Sequence, residues 1–311
     1  MKKTLLFLFV LCISMILLAG RDVRAEEPHG TGEASTTTSS TEGAEQQNLD
    51  ELNRQLQNPI SSVWSLTFQF NNFFLNGFPS DKTRVQDVLN FQPVIPLHLT
   101  ENWNLISRPI FPFIFTSPTI TPKVGQGGDI TFIFDQEGGF GDMVFFSLLS
   151  PAKSGNWLLG IGPTLIFPTA SKEELGQGKF QIGPAAIVGY LNSKWLIGVL
   201  PQQWWSVAGD SGRPDTSQAN IQYFILRFLP NAWTVGTSPN VLINWKADND
   251  NKVTFPIGFS IGKTVKIGKL PVNFGLQPQW MPWHPDDFGQ RWNIQLVIKP
   301  VIPSLIPGTL F

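Results

Sequence analysis

The chain is poor in the residues on which most chemistry depends. Its one cysteine, Cys12, falls within the first 25 residues, which read as a leader; the mature chain then has no thiol, excluding disulfides and cysteine-held metals. Only 14% of the residues are charged. Without Lys2, Lys3, Arg21, Arg24 and Asp22 of the leader, 18 basic side chains face 22 acidic ones, a net charge of −4. No basic stripe exists, so nucleic acid is not expected as a partner. There are three histidines, His29, His98 and His284. A Ser or Thr nucleophile needs a base within hydrogen-bond reach, and neither His98 nor His284 has a partner in its own segment, so no catalytic residue is expected. Glu173-Glu174 and Asp286-Asp287 are acidic pairs of the kind usually solvated in loops, and Gly125 to Gly128 lacks the Lys-Ser/Thr of a phosphate loop. No metal or cofactor is expected. Beyond the leader, no run of eighteen apolar residues occurs, which removes helical membrane spans.

Lys2 and Lys3 precede an apolar stretch from Leu5 to Leu18, and Val23-Arg24-Ala25 offers a cleavage site, so residues 1–25 read as a secretory signal. Residues 26–59 form a second segment. Gly30 to Gly43 is Ser, Thr, Glu and Gly with almost nothing to bury, which predicts a flexible linker. Leu49, Leu52 and Leu56, stopped by Pro59, predict one short amphipathic helix. That helix either plugs or docks at the periplasmic side, or merely leads into the first strand.

From residue 60 the pattern changes to period two. Asn273, Gly275, Gln277 and Gln279 interleave with Val272, Phe274, Leu276, Pro278 and Trp280. Strand side chains alternate between faces, so each segment has one wet face and one greasy face edged by Trp and Phe. Twelve strands are expected, near 61–75, 83–99, 103–117, 140–152, 156–170, 179–191, 195–208, 217–229, 232–246, 252–267, 270–283 and 290–302. Short turns alternate with longer connections, among them 76–82 and 118–139. The expected fold is therefore all-β: a transmembrane antiparallel up-and-down β-barrel of bacterial outer-membrane type over residues 60–302, both termini periplasmic, with a tail at 303–311. Its partners would be the lipid bilayer, the outer-membrane insertion machinery and a small-molecule solute. Pro93, Pro96, Pro109, Pro112, Pro163, Pro184, Pro201, Pro239, Pro256 and Pro278 fall inside these strands, and each removes a ladder donor. Bulges or kinks are expected at several of them.

In such a barrel the wet face lines the lumen. The polar register assigns Gln69 and Asn71, Asn90 and Gln92, Arg108, Asp142, Gln181 and Gln202 to it. It further assigns Asn220 and Gln222, Asn244, Gln277 and Gln279, and Arg291, Asn293 and Gln295. This amide-rich wall suits a modest-sized neutral polar solute, with Trp204 or Trp205 available to stack on an aromatic one. Alternatively the amides satisfy one another in a sealed, structural barrel, since eight strands are filled, sixteen hold a channel, and twelve lies between. An enzyme or receptor is a minor alternative. The long 118–139 connection contains the apolar Ile130 to Phe134, which either folds over the mouth or extends the wall.

Several blocks in order also carry a resemblance: Gln57-Asn58-Pro59-Ile60-Ser61-Ser62, Asn90-Phe91-Gln92-Pro93-Val94-Ile95-Pro96, Trp103-Asn104-Leu105-Ile106-Ser107-Arg108, Gly139-Phe140-Gly141-Asp142, and Leu159-Gly160-Ile161-Gly162-Pro163 followed by Phe167-Pro168-Thr169-Ala170. With Leu175 to Phe180 and Gly268 to Val272, the chain from 57 to 300 resembles the phenol meta-pathway outer-membrane transporter-like family, often mislabelled neuromedin U. The resemblance implies an outer-membrane barrel passing small, often aromatic, compounds. Phe180 stands where the family pattern has Trp, and residues 303–311 extend past its usual end, although Phe311 resembles the terminal aromatic of many outer-membrane proteins.

Overall fold

The computed structural model describes residues 35–125, 128–306 and 308–309. The expected leader and the terminal Phe311 lie outside them. The chain divides into two compact units, residues 1–47 and 48–311. In the first, the described residues open a helix, α1 (Ser35–Gln57), which ends within the second unit. Residues 35–43 are thus helical, where a polar linker was expected. The linker argument concerned burial, whereas local helicity requires only that nothing break the turn: no Pro occurs between Ser35 and Gln57, and Gly43 costs about 1 kcal/mol.

The second unit is a closed barrel of twelve antiparallel strands. They are β1 (Ser65–Gly77), β2 (Ser80–Thr100), β3 (Trp103–Val124), β4 (Ile130–Phe140 continued by Met143–Pro151), β5 (Trp157–Phe167) and β6 (Lys179–Leu191). The circuit goes on through β7 (Trp195–Gly209), β8 (Ser217–Leu229), β9 (Trp233–Thr237 continued by Asn240–Asn244), β10 (Val253–Gly258 continued by Ser260–Ile267), β11 (Leu270–Trp283) and β12 (Gly289–Pro300). Each strand pairs with its successor, and β12 returns to β1, with Ile298 opposite Phe68 and Gly289 opposite Asn76. Closure leaves no edge to template aggregation.

One rim carries short connections, 101–102, 152–156, 192–194, 230–232 and 268–269. Gly155 and Gly268 each take φ of 62° there, with open space around a would-be Cβ, so the turn geometry alone requires glycine. The opposite rim holds most of the longer connections, but two expected loops are largely strand. β1 and β2 are joined by residues 78–79 alone, and β3 pairs with β4 from Pro118 opposite Gln136 to Val124 opposite Ile130. Residues 118–124 and 130–139 therefore extend the wall, because the alternation of Ile130, Phe132 and Phe134 satisfies a second strand better than a free loop. Its ring faces still reach sideways: Phe132 meets Phe78 at 5.7 Å and Phe134 meets Phe288 at 6.5 Å.

Several strand prolines keep register with one neighbour, as Pro93 opposite Leu66 and Pro163 opposite Pro184, while the ladder on their other side lacks rungs. Among the described residues, no pairs form between Phe91 opposite Phe111 and Ile95 opposite Ser107, around Pro93 and Pro109, or between Phe146 opposite Thr164 and Leu149 opposite Ile161, at Pro163. The longest interruption lies at Pro239 and Pro256, beside Pro278 on the next strand. β9 breaks at Ser238-Pro239, and the β10–β11 pairing shifts between Phe255 and Ile257. Among the described residues, the β9–β10 ladder has no pairs between Gly236 opposite Ser260 and Leu242 opposite Thr254. Missing N–H donors concentrated on adjacent strands leave few rungs to form. The Tyr223 hydroxyl donates to the Pro256 carbonyl at 2.8 Å beside this interruption.

The outward face is apolar and banded. Trp103, Trp157 and Trp195 open β3, β5 and β7 at the short-connection rim and are exposed, as are Trp205, Trp245, Trp283 and Trp292 toward the other rim. Between them lie exposed Leu149, Leu159, Ile161, Val188, Ile197 and Ile225. In water, such a continuous apolar belt would drive association; two aromatic girdles around an apolar band are the outer surface of a lipid-embedded barrel.

Candidate functional site in the barrel lumen

The barrel interior has two sectors. On β3 to β8, in the half near the short connections, Ile106, Leu148, Leu158, Ile187, Leu196, Phe224 and Leu226 pack together with Ile60 of the segment before β1. The Phe224 ring occupies space left by Gly198, where a Cβ would lie 2.6 Å from it. Here both faces of the strands are apolar, as in Val144-Phe145-Phe146 and Trp195-Leu196-Ile197. The rule that assigns the lumen to polar residues misses this fill. The signal was the loss of alternation, which marks strands covered on both faces.

Beyond the fill, a cavity of about 400 Å³ remains. Of the expected lumen residues, Gln69, Asn90, Gln92, Arg108, Asp142, Gln202, Asn220, Gln222, Gln277 and Gln295 line it. Asn71, Gln181, Gln279 and Asn293 point inward but are buried against neighbours. Asn244 and Arg291, expected in the lumen, are exposed near the long-connection rim: the alternation predicts the face of the wall but not the height along it. Of the two candidate stacking residues, Trp204 lines the cavity and Trp205 faces outward, 48% exposed.

Most amides are tied to one another. Gln92 Nε2 donates to Gln69 Oε1 at 2.9 Å, and Asn293 Nδ2 and Gln295 Nε2 both donate to Asn71 Oδ1 at 3.1 Å. Thr164 Oγ1 donates to Gln202 Oε1 at 2.9 Å while accepting from Trp204 Nε1 at 3.0 Å. Buried capacity without a protein partner remains at Arg108 Nε, Gln277 Nε2 and Asn220 Oδ1, all cavity residues. Asp142 is already committed: Oδ1 accepts from Ala170 N at 3.2 Å and Oδ2 from Gln177 N at 2.6 Å, anchoring the 168–178 connection.

The second sector, on β9 to β12, is polar down to the short-connection rim and receives the end of α1. Asn53 is 1% exposed; its Nδ2 donates to Thr234 Oγ1 at 2.8 Å and its Oδ1 accepts from Thr264 Oγ1 at 2.8 Å and Asn273 Nδ2 at 3.4 Å. Asp50 accepts from the Ala232 amide at 2.6 Å in the β8–β9 turn. Lys299 Nζ donates to the Leu56 carbonyl at 2.6 Å, at the helix end where the backbone dipole favours a cation. Lys299 also lines the cavity and was missed in the sequence, although it shares the parity of Asn293 and Gln295.

Elsewhere, His98 Nδ1 and Asn104 Oδ1 lie 2.8 Å apart on adjacent strands, so the partner of His98 comes from across the ladder and not from its own segment. Among the described residues, no hydroxyl is hydrogen-bonded to the ring of His98 or His284, and no group of three potential metal ligands occurs.

No protein-family model and no curated protein match the chain by sequence. Solved structures do resemble it. The COG4313 outer membrane channel from Pseudomonas putida F1 superposes with a TM-score of 0.54 at 14% identity, over 77% of this chain and 94% of that one. A Pseudomonas aeruginosa FadL homologue aligns at 7% identity over 79% and 93%, with a TM-score of 0.40. Outer membrane phospholipase A from Escherichia coli aligns at 11% over 82% and 99%, with a TM-score of 0.36. The last two similarities are too low to carry an argument, and at 14% identity the first bears on the fold alone: this chain has the architecture of a bacterial outer-membrane β-barrel.

Proposed function

We propose that the protein lies in the outer membrane, termini in the periplasm, and passes small solutes through its lumen without acting on them as an enzyme. The observation that carries this reading is the cavity of about 400 Å³, lined by amide side chains of β1, β2, β7 to β9, β11 and β12 within a barrel whose exterior is apolar and Trp-girdled. Amides offer donors and acceptors to polar solutes without trapping them by charge, and Trp204 adds an aromatic face. The resemblance of the 57–300 blocks to the phenol meta-pathway transporter-like proteins points the same way. Single-channel recording in planar bilayers tests it: discrete conductance steps are expected, and their absence over many insertions would refute passage.

A sealed structural barrel is the second reading, favoured by the apolar fill around Leu148, Leu196 and Phe224 and by the docked end of α1. The two differ when α1 is released: a gated channel gains conductance in Asn53→Ala, while a sealed barrel stays silent. Orientation has its own test. A cysteine at Gly212 is expected to react with an impermeant maleimide on intact cells, and cysteines at Gly155 and Ser193 to react only after permeabilisation; the opposite pattern would invert the topology.

A further inference from the structure

We propose that the lumen contains an anion site centred on Arg108, and that the solutes admitted are small organic monocarboxylates with an apolar body. This rests on the passage reading and adds to it a charge preference that an amide-lined wall alone does not predict.

Arg108 faces inward from β3, opposite Phe146 of β4, with its guanidinium carbon 5.7 Å from the Phe146 ring centroid. Its Nε is buried without a partner, and the ion pairs among the described residues do not include it. Gln277 Nε2 and Asn220 Oδ1 also lack partners but are neutral, whereas a guanidinium stays charged and costs free energy wherever it lacks both water and a counter-ion. Asp142 lines the same space, but its oxygens accept from the Ala170 and Gln177 amides and no ion pair joins it to Arg108 among the described residues. A second cation, Lys299, lines the cavity and spends one donor on the Leu56 carbonyl, leaving two. The space therefore presents two cations without carboxylate partners.

The chemistry of the surroundings narrows the anion. A guanidinium fork matches a carboxylate by two parallel hydrogen bonds. On the β3–β4 side the wall beside it is largely apolar, with Ile110, Val144 and Phe146 lining the cavity. A fully polar anion such as phosphate would leave oxygens against these side chains unpaired, whereas a carboxylate on a hydrocarbon or aromatic body places each part against its complement. The volume, about 400 Å³, is that of a pocket for one small molecule.

The test uses the full-length mature protein in detergent, with benzoate as probe and benzamide as its uncharged isostere, titrated by calorimetry. Heat-modifiable mobility on gels confirms that each variant is folded. Benzoate is expected to bind one saturable site and benzamide at least about tenfold more weakly. Arg108→Gln and Lys299→Gln should each weaken benzoate about tenfold or more, with benzamide unchanged, and Arg108→Lys should restore much of the loss. Equal binding of benzoate and benzamide, or benzoate binding indifferent to both Gln variants, overturns the site. The bilayer recordings separate this from the passage reading. A silent barrel that binds benzoate with this dependence keeps the site and loses transport, whereas a conducting barrel with no preference for benzoate keeps transport and loses the site.

Discussion

Ile161 offers the sharpest test of what surrounds the barrel. It points outward from the middle of β5, is 65% exposed, and has Leu149, Leu159 and Val188 as outward neighbours. Taking ~3.3 Å per residue and a strand tilt of ~40°, it lies about 10 Å along the barrel axis from the girdle residue Trp157, close to the centre of an apolar band ~25 Å tall. An exposed Ile→Arg change in water costs within about 0.5 kcal/mol, since the arginine is simply solvated. At the centre of hydrocarbon the same change costs roughly 2–4 kcal/mol, a factor of about 30 to 1,000 in the folding equilibrium. The measurement is urea unfolding in lipid vesicles followed by tryptophan fluorescence, comparing Ile161→Arg with Trp157→Arg at the girdle. Depth dependence predicts that the girdle variant costs only about 1 kcal/mol or less beyond the loss of the ring. Equal costs at the two heights, or a cost below about 0.5 kcal/mol at Ile161, would refute a lipid-facing wall.

Three further outcomes follow from particular contacts. Asn53→Ala removes one side chain that joins Thr234, Thr264 and Asn273, and should cost about 1–3 kcal/mol in the same unfolding assay while speeding amide exchange at the end of α1. Gly183→Ala would place a Cβ 1.7 Å from the Gln203 carbonyl oxygen, so β6 and β7 must separate; a loss of about 1–3 kcal/mol or more is expected, and unchanged stability would contradict the β6–β7 register. The Lys179 side chain, 3.3 Å away, and the Ser206 hydroxyl hold the Asp215 carboxyl below its ordinary value of 3.8. Its contribution is present above that value and fades as pH falls through the lower folded value, so the 210–216 connection should become more protease-sensitive on acidification below about pH 4. Asp215→Asn should abolish that pH dependence.

Much of the architecture is written locally. Twelve strands, their order and the short turns at one rim follow from alternation and from turn residues, because closing neighbours in sequence requires no long-range information. The inward face of β11 and β12 is equally legible, since Asn273, Gln277, Gln279, Asn293 and Gln295 alternate without exception. What the sequence hides is what the closed barrel does with its own interior. Leu196 and Phe224 share the inward parity of Gln202 and Gln222, yet an assignment by polarity passes over them and Leu148, and what an inward apolar residue meets depends on strands far away in the chain. The same holds for Asn244 and Arg291, whose parity is inward but whose height carries them out of the cavity. The wall extension at 118–124 and 130–136 was legible only as one of two alternatives, because a strand rising past the usual length resembles a loop when Pro118 and Pro122 punctuate it.

The clustered prolines have a consequence for how the barrel breathes. A closed ladder parts first where it has fewest rungs, and here that line is not the junction of first and last strands. β1 and β12 pair without interruption from Phe68 opposite Ile298 to Phe74 opposite Trp292, whereas β9 and β10 share no rungs across the stretch that holds Pro239 and Pro256. The chain's two ends are thus stitched more firmly than two strands made in succession. Amide protons of Asn240 and Gly258, whose N–H groups alternate toward that gap, should exchange ahead of those of Phe70 and Leu296, and heat should open the cylinder along its side while its covalent ends stay together.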